Sequence, residues 1–115
     1  MRFLCIYRPG SPESEAPPTA EEQAKMGKLI DEMSKAGVLL TFEGCMVSRF
    51  GAKVRVDGAK YSVTDGPFPE TKEVVGGLAI LQVKTKDEAV EWTKRFLAVA
   101  GEGESELRQL WDGPG

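Results

Sequence analysis

Two helix-start signals, at Thr19 and Thr85, constrain the fold of this 115-residue chain more than any other feature. A glutamate follows each threonine by three residues, which is the capping-box pattern that satisfies free N–H groups in the first turn of a helix. Apolar residues then recur at helical spacing, and Gly37 and Gly101 supply stop signals. The pattern predicts two amphipathic helices, whose apolar stripes are Met26, Leu29, Ile30 and Met33 in the first and Ala89, Trp92, Phe96 and Val99 in the second.

Six segments rich in strand-forming residues surround these helices. The predicted strands are residues 2–8, 38–47, 52–56, 60–64, 74–83 and 104–111. Asp57-Gly58 follows the third of them, and an Asp-Gly pair between alternating segments predicts a β-hairpin. The order is thus β-α-β, hairpin, β-α-β within a single domain, residues 1–115. Without the hairpin this is a split β-α-β, the ferredoxin-like α+β pattern with two helices on one face of an antiparallel sheet.

The second face of that sheet is predicted to lack a cover from within the chain. The helix stripes cover one face, yet the first strand is apolar on both sides. We expect the uncovered face to carry Phe3, Cys5 and Tyr7, or their register mates. An exposed apolar sheet face predicts self-association, most simply a two-fold homodimer in which the two sheets close against each other.

Composition excludes several classes of function and partner. The chain has no histidine, which excludes Ser-His and Cys-His nucleophile pairs and histidine metal sites. Its net charge is −3, with basic residues scattered singly among acidic ones, so we expect no direct nucleic-acid partner. No apolar run approaches the ~20 residues of a membrane span, and no signal peptide is recognisable. We therefore expect a cytoplasmic protein without membrane association, metal or other cofactor, in which Cys5 and Cys45 are buried, reduced thiols.

The loop from Asp65 to Glu73 is the most distinctive segment of the chain. It reads Asp-Gly-Pro-Phe-Pro-Glu-Thr-Lys-Glu, and Gly76-Gly77 follows it closely. In this segment the chain resembles the DGPF family within the YCII-related superfamily. The similarity covers nearly the whole chain, since it extends to residues 4–7, 36–40, 43–44, 54–58, 87–92 and 106–108.

The resemblance implies a dimeric α+β barrel. YCII-related proteins have been proposed to be enzymes that use a His–Asp pair in a cleft, and Met26 lies near the position where the first-helix histidine would fall. Any reaction in this chain must therefore use carboxylates, lysine, tyrosine, thiol or backbone groups. DGPF proteins are also labelled as transcription-initiation proteins, through their association with alternative sigma factors.

The first two candidate site residues lie at the start of the loop, and each has a structural and a functional interpretation. Asp65 either caps the turn while Gly66 adopts a φ that other residues avoid, or acts as a catalytic acid or base at the mouth of a cleft. The Phe68 ring either packs into the core or against the dimer partner, which is a structural role, or stacks on a substrate. Gly76-Gly77 lacks the pattern of a phosphate-binding loop and instead predicts a bulge or a close backbone approach.

The other candidates are charged side chains that either serve structure or contact a ligand. Three charged residues of the loop have two interpretations: Glu70, Lys72 and Glu73. They either keep the loop exposed to solvent, or position an anionic or hydroxylated substrate. Glu43 either pairs with Arg49 or Arg55 at the covered face of the sheet, or belongs to the same substrate site.

Two functions of different class are compatible with the sequence. The first is a small-molecule-binding protein or an enzyme, with a carboxylate-based cleft under the loop that begins at Asp65. The alternative is a non-catalytic regulatory or interaction protein linked to transcription initiation, whose partner is a sigma factor or another protein. The residues leave open whether the chain catalyses a reaction.

Overall fold

The computed structural model describes residues 1–68 and 74–112, and confirms the ferredoxin-like α+β prediction. Four strands form one antiparallel sheet in the order β2-β5-β1-β6, and β3 and β4 form a separate two-stranded hairpin. A short 3-10 turn, Ser48–Phe50, leads into that hairpin. The elements in chain order are β1 (Arg2–Pro9), α1 (Ala20–Lys35), β2 (Leu39–Gly44), β3 (Ala52–Asp57), β4 (Lys60–Asp65), β5 (Gly77–Gln82), α2 (Lys86–Ala100) and β6 (Gly103–Gln109).

Both helices start at the predicted threonines. The Thr19 hydroxyl oxygen accepts the N–H of Glu22 at 3.1 Å, and that of Thr85 accepts the N–H of Glu88 at 3.1 Å. The two glutamates complete the caps differently from a reciprocal capping box. The Glu22 carboxylate accepts from the Thr19 hydroxyl, and the Glu88 carboxylate accepts from the N–H of Lys84. The sequence pattern therefore locates each helix start, while the second hydrogen bond depends on local geometry.

The hydrophobic core lies between the two helices and one face of the sheet. Phe3 and Leu81 are paired across β1 and β5, and only 3% and 2% of their surfaces are exposed. Trp92 and Phe96 of α2 pack against this core, as the helical stripe predicts. The buried cluster comprises Phe3, Cys5, Leu29, Met33, Val38, Leu81, Val83 and Ala89.

The face of the sheet without helices carries different residues from those expected. Phe3 and Cys5 are buried against the helices, and the Tyr7 ring contacts Phe96 of α2, so the assignment of these three to the uncovered face is wrong. Because side chains alternate along a strand, the uncovered face carries the residues between them. At its centre lie Leu4 and Ile6 of β1 and, opposite them, Ile80 and Leu78 of β5, all partly exposed. We call these four residues the open face.

The hairpin extends away from the rest of the molecule. Every residue of β3 and β4 is exposed. The radius of gyration is 16.0 Å, against about 13 Å for a compact domain of this length. At the tip, Gly58 has a φ of +62°, which explains the Asp-Gly signal of the sequence. The predicted hairpin is thus confirmed, but as a projecting arm and not as part of the main sheet.

The structure also bears on the predictions about membrane spans and about the two cysteines. Neither helix in the described part of the chain is long and apolar enough to span a membrane. The two cysteines are free, as predicted, but only Cys5 is buried. Cys45 is exposed because it follows the end of β2, which stops at Gly44 and not at the predicted Val47.

Replacing Gly27 by alanine is expected to stabilise the protein by about 0.5–1 kcal/mol, because glycine in a helix interior costs conformational entropy. Gly27 lies in α1, and a Cβ atom added there meets nothing within 4 Å. Urea denaturation measures the change in the free energy of unfolding. Gly37→Ala is the matched control, since its φ of +73° makes the same substitution destabilising. A loss of stability in Gly27→Ala would contradict the prediction.

Candidate functional site

An apolar cavity lies between the helices and the sheet. Its volume is about 210 Å³. Small residues on the helix-facing side of β5, Gly77 and Ala79, leave this space unfilled. Larger apolar side chains close it from the other sides, among them Met26 and Met33 of α1, Phe42 of β2, and Trp92 and Phe96 of α2. We call this space the core cavity, and its lining suits an apolar ligand group.

A second, more polar cavity lies at the adjoining end of the sheet. This outer cleft has a volume of about 660 Å³. One wall is the loop between β1 and α1, residues 10–18, which we call the rim loop. The opposite wall is formed by residues 45–47 and 74–76. Tyr7, Gly76 and Ala100 line both cavities, so the core cavity and the outer cleft meet at these residues.

Tyr7 is the polar side chain at this junction. Its ring packs edge to face on Phe96, with 5.2 Å between the ring centroids. Its hydroxyl donates a hydrogen bond of 3.3 Å to the carbonyl oxygen of Glu102. Burial raises the pKa of the Tyr7 phenol above its ordinary value. Like any tyrosine, the residue is protonated at neutral pH and is a hydrogen-bond donor.

Glycines on both sides of Tyr7 allow the ring to occupy this position. A Cβ atom at Gly76 would lie 3.0 Å from the Tyr7 ring, and one at Gly103 would lie 2.9 Å from it. At Gly77 a Cβ atom would lie 2.8 Å from the carbonyl oxygen of Glu43. The close backbone approach predicted for Gly76-Gly77 is therefore confirmed.

The rim loop is fastened to the base of the hairpin through Ser48. Glu13 accepts two hydrogen bonds from this residue, at 2.6 Å from the Ser48 N–H and at 2.7 Å from its hydroxyl. The same hydroxyl oxygen accepts the N–H of Phe68 at 2.9 Å. Arg49 adds an ion pair of 2.7 Å to Glu15 of the rim loop. One hydroxyl thus joins the rim of the outer cleft to the start of the loop that begins at Asp65.

The structure places the described candidate residues outside both cavities. Asp65 is exposed at the end of β4, and Gly66 donates its N–H to Gly51, at 3.0 Å. Gly66 does not adopt the positive φ that was expected. Glycine is required there because a Cβ atom would lie only 1.7 Å from the carbonyl oxygen of Ser48. Phe68 is half-buried, with the Lys53 ammonium 4.5 Å from its ring centroid.

The remaining candidates are not brought together with the cavities. Glu43 is exposed and lies opposite Leu78, so its side chain projects on the side of the open face. The prediction that Glu43 lies at the covered face is therefore wrong. Arg49, considered as its partner, pairs with Glu15 instead. Glu70, Lys72 and Glu73 lie outside the described residues. No sequence pattern indicated Glu13 or Ser48, because both lie in segments without helical or strand periodicity.

Comparison with known proteins establishes the family. The fold is that of a ferredoxin-like α+β protein with two helices on one side of its sheet. Residues 1–112 match the model of the YCII-related domain, and the chain belongs to that family. No protein of curated function matches it. Among solved structures, it is similar to 5-chloro-2-hydroxyhydroquinone dehydrochlorinase from Burkholderia phenoliruptrix AC1100, in complex with 2,5-dihydroxybenzoquinone, at 11% identity over 98% of this chain and 96% of that one, with a TM-score of 0.47.

Proposed function

We propose that this YCII-related protein binds a small molecule that has one apolar, ring-sized part and one polar end. The apolar part occupies the core cavity, and the polar end lies in the outer cleft. The observation that carries the proposal is the meeting of these two unlike cavities at Tyr7. Ligand sites in proteins are typically apolar concave spaces with a few polar groups that fix orientation.

The size of the core cavity supports a ligand part no larger than a substituted aromatic ring. An apolar cavity of about 150 Å³ is sufficient to bind benzene, and the cavity here is about 210 Å³. The surrounding Phe42, Trp92 and Phe96 rings offer edge and face contacts to a flat group.

Tyr7 is the residue that we expect to orient the ligand. Its hydrogen bond to Glu102 is long, at 3.3 Å, and lies at the exposed side of the ring. A carbonyl, hydroxyl or carboxylate oxygen on the polar end of the ligand can therefore replace the Glu102 oxygen as acceptor. A phenol is protonated at neutral pH, so Tyr7 presents an O–H donor to such an acceptor.

The role of Asp65 as a catalytic acid or base stays a prediction. A ligand held in the two cavities does not require Asp65, Phe68 or Glu43, because none of them lines either space. Ligand binding and catalysis are therefore separate parts of the proposal. Asp65→Asn is expected to leave binding in the core cavity unchanged.

The test uses Trp92, which lines the core cavity, as a fluorescence reporter. The other tryptophan, Trp111, is 91% exposed and is first replaced by phenylalanine. Titration of this variant with 4-nitrophenol is expected to quench Trp92 saturably. Ala79→Leu in the same background fills the cavity and is expected to abolish the saturable quenching while the circular dichroism spectrum is retained. Non-saturable quenching in the Trp111→Phe variant would overturn the proposal.

Two further variants complete the experiment. Ala98→Leu is the matched control, because Ala98 lies on the exposed side of α2, and it is expected to bind 4-nitrophenol unchanged. Tyr7→Phe removes only the donor, and we expect it to weaken binding by about 1 kcal/mol, the net contribution of one hydrogen bond. Unaltered affinity in both Ala79→Leu and Tyr7→Phe would place the 4-nitrophenol site elsewhere.

A further inference from the structure

The rim loop is held in place almost entirely by side-chain contacts. Its ends are fixed, since Gly10 donates its N–H to the carbonyl oxygen of Glu102 at 3.0 Å and Thr19 caps α1. Between these ends, residues 11–18 form no backbone–backbone hydrogen bond with any residue that the structure describes. All of them are exposed except Glu13, which is half-buried. The position of the loop therefore depends on the few side chains that connect it to the rest of the molecule.

These contacts join one wall of the outer cleft to the other. Glu13 and Glu15 lie in the rim loop. Their partners, Ser48 and Arg49, directly follow residues 45–47 of the opposite wall. Glu13 accepts two hydrogen bonds from Ser48, at 2.6 and 2.7 Å, and Glu15 accepts two from Arg49, at 2.7 and 3.0 Å. We call these four hydrogen bonds the latch, because together they tie the two walls of the cleft to each other.

The latch can open without unfolding the domain. The side chains of Arg49 and Glu15 are 52% and 56% exposed, and an ion pair in that setting contributes little to stability. The bonds to Glu13 are stronger because they involve a charged acceptor, yet they are only two in number. Loops with so few contacts open locally at a much lower free energy than global unfolding requires. Three of residues 11–18 are prolines, so the segment is stiff and swings as a unit.

The rim loop is the side of the latch that moves. Ser48 is held independently of it, because its hydroxyl oxygen accepts the N–H of Phe68 at 2.9 Å and its carbonyl oxygen accepts the N–H of Gly51 at 2.9 Å. Neither of these bonds involves the rim loop. When Glu13 leaves, Ser48 therefore stays at the base of the hairpin, and the wall formed by the rim loop moves away from it.

We propose that the rim loop is a gate to the ligand site, and that a ligand enters and leaves when Glu13 releases Ser48. The inference rests on the proposed function, because it concerns the route through the outer cleft to the core cavity, which meets the cleft at Tyr7. The latch is the same in the free and the occupied protein, so weakening it raises the association and dissociation rate constants by the same factor and leaves the affinity unchanged. A residue that contacts the ligand acts mainly on dissociation instead.

The test compares Glu13→Ala with Glu91→Ala, both in the Trp111→Phe background. Glu13→Ala removes both hydrogen bonds to Ser48. Glu91→Ala makes the same substitution in an exposed ion pair of α2 that lines neither cavity. Stopped-flow fluorescence of Trp92 measures the two rate constants for 4-nitrophenol. We expect Glu13→Ala to raise both by about tenfold or more, the usual effect of a hydrogen bond to a charged group on an equilibrium. Glu91→Ala is expected to change neither.

A second measurement observes the loop without a ligand. A glutamate-specific protease cleaves the chain after Glu15 at a rate that follows the population of the released loop. We expect this cleavage, identified by mass spectrometry, to be about tenfold faster in Glu13→Ala than in the parent or in Glu91→Ala. Arg49→Ala, which removes only the exposed ion pair, is expected to accelerate cleavage and ligand exchange by up to about fivefold.

The outcomes separate the gate from the proposed function. Unchanged cleavage in Glu13→Ala would overturn the gate, because the latch would then not hold the loop. Faster cleavage with unchanged rate constants would overturn it as well, since a loop that moves freely would not limit ligand exchange. Faster dissociation alone would identify Glu13 as a ligand contact and not as part of a gate. If the parent Trp111→Phe protein shows no saturable quenching, the proposed function fails and the gate fails with it.

Discussion

Phe3→Ala is expected to lower the free energy of unfolding by about 3–5 kcal/mol, the usual cost of removing a buried aromatic ring. Phe3 is 3% exposed and lies opposite Leu81 in the central strand pair, so neighbouring side chains cannot move in to fill the space. A domain of this size has a total stability of only about 5–15 kcal/mol. The substitution is therefore expected to leave a marginally folded protein. Equilibrium urea denaturation measures the change.

Leu40→Ala is the matched control for the loss of a large apolar side chain. Leu40 lies in β2, where the pairing with β5 shifts by one residue between Leu39 and Thr41, and it is 52% exposed. Its removal is expected to change the free energy of unfolding by about 0.5 kcal/mol or less, as for most surface positions. Equal losses at Phe3 and Leu40 would contradict the assignment of the core to the helix-covered face.

Gly66→Ala is expected to be the most disruptive small substitution near the hairpin, with a loss of about 1–3 kcal/mol in the free energy of unfolding. The added Cβ would lie 1.7 Å from the carbonyl oxygen and 2.5 Å from the carbonyl carbon of Ser48. Because both are backbone atoms, no rotamer change relieves the overlap, and the chain must move at Gly66 or at Ser48. Either movement disturbs the hydrogen bonds between Ser48 and Glu13 that fasten the rim loop.

One measurement and one control variant separate this effect from a general loss of stability. Amide hydrogen exchange is expected to accelerate at Ser48 and Phe68 more than in the main sheet. Gly44→Ala is the control, because a Cβ atom there meets nothing within 4 Å and its φ is not positive. If amide exchange at Ser48 is unchanged in Gly66→Ala, the close contact between Gly66 and Ser48 is not what holds the rim loop in place.

The sequence predicts the elements of this fold well because their signals are local. Thr19 and Thr85 define the helix starts through hydrogen bonds within four residues, and Asp57-Gly58 defines the hairpin through the backbone of its own turn. The orientation of β1 was not predictable in the same way. Both of its faces are apolar, so alternation alone does not decide whether Phe3 or Leu4 faces the helices.

The candidate site was less predictable because it depends on contacts between distant segments. Ser48 accepts from Phe68 and donates to Glu13, two residues that lie 20 and 35 positions away in the chain. Such contacts leave no periodic pattern in the sequence. The loop at Asp65 is conspicuous in the sequence because of its charges, whereas the core cavity is produced by two small residues of β5, Gly77 and Ala79, which carry no reactive group.

The unequal exposure of the two thiols makes the natural chain suitable for selective chemical labelling. Cys45 is exposed and lines the outer cleft, whereas burial raises the pKa of the Cys5 thiol, which keeps the reactive thiolate scarce. A maleimide dye or spin label is therefore directed to Cys45 without engineered mutations. The label would stand at the cleft wall that faces the rim loop, where its signal follows the opening and filling of the cleft.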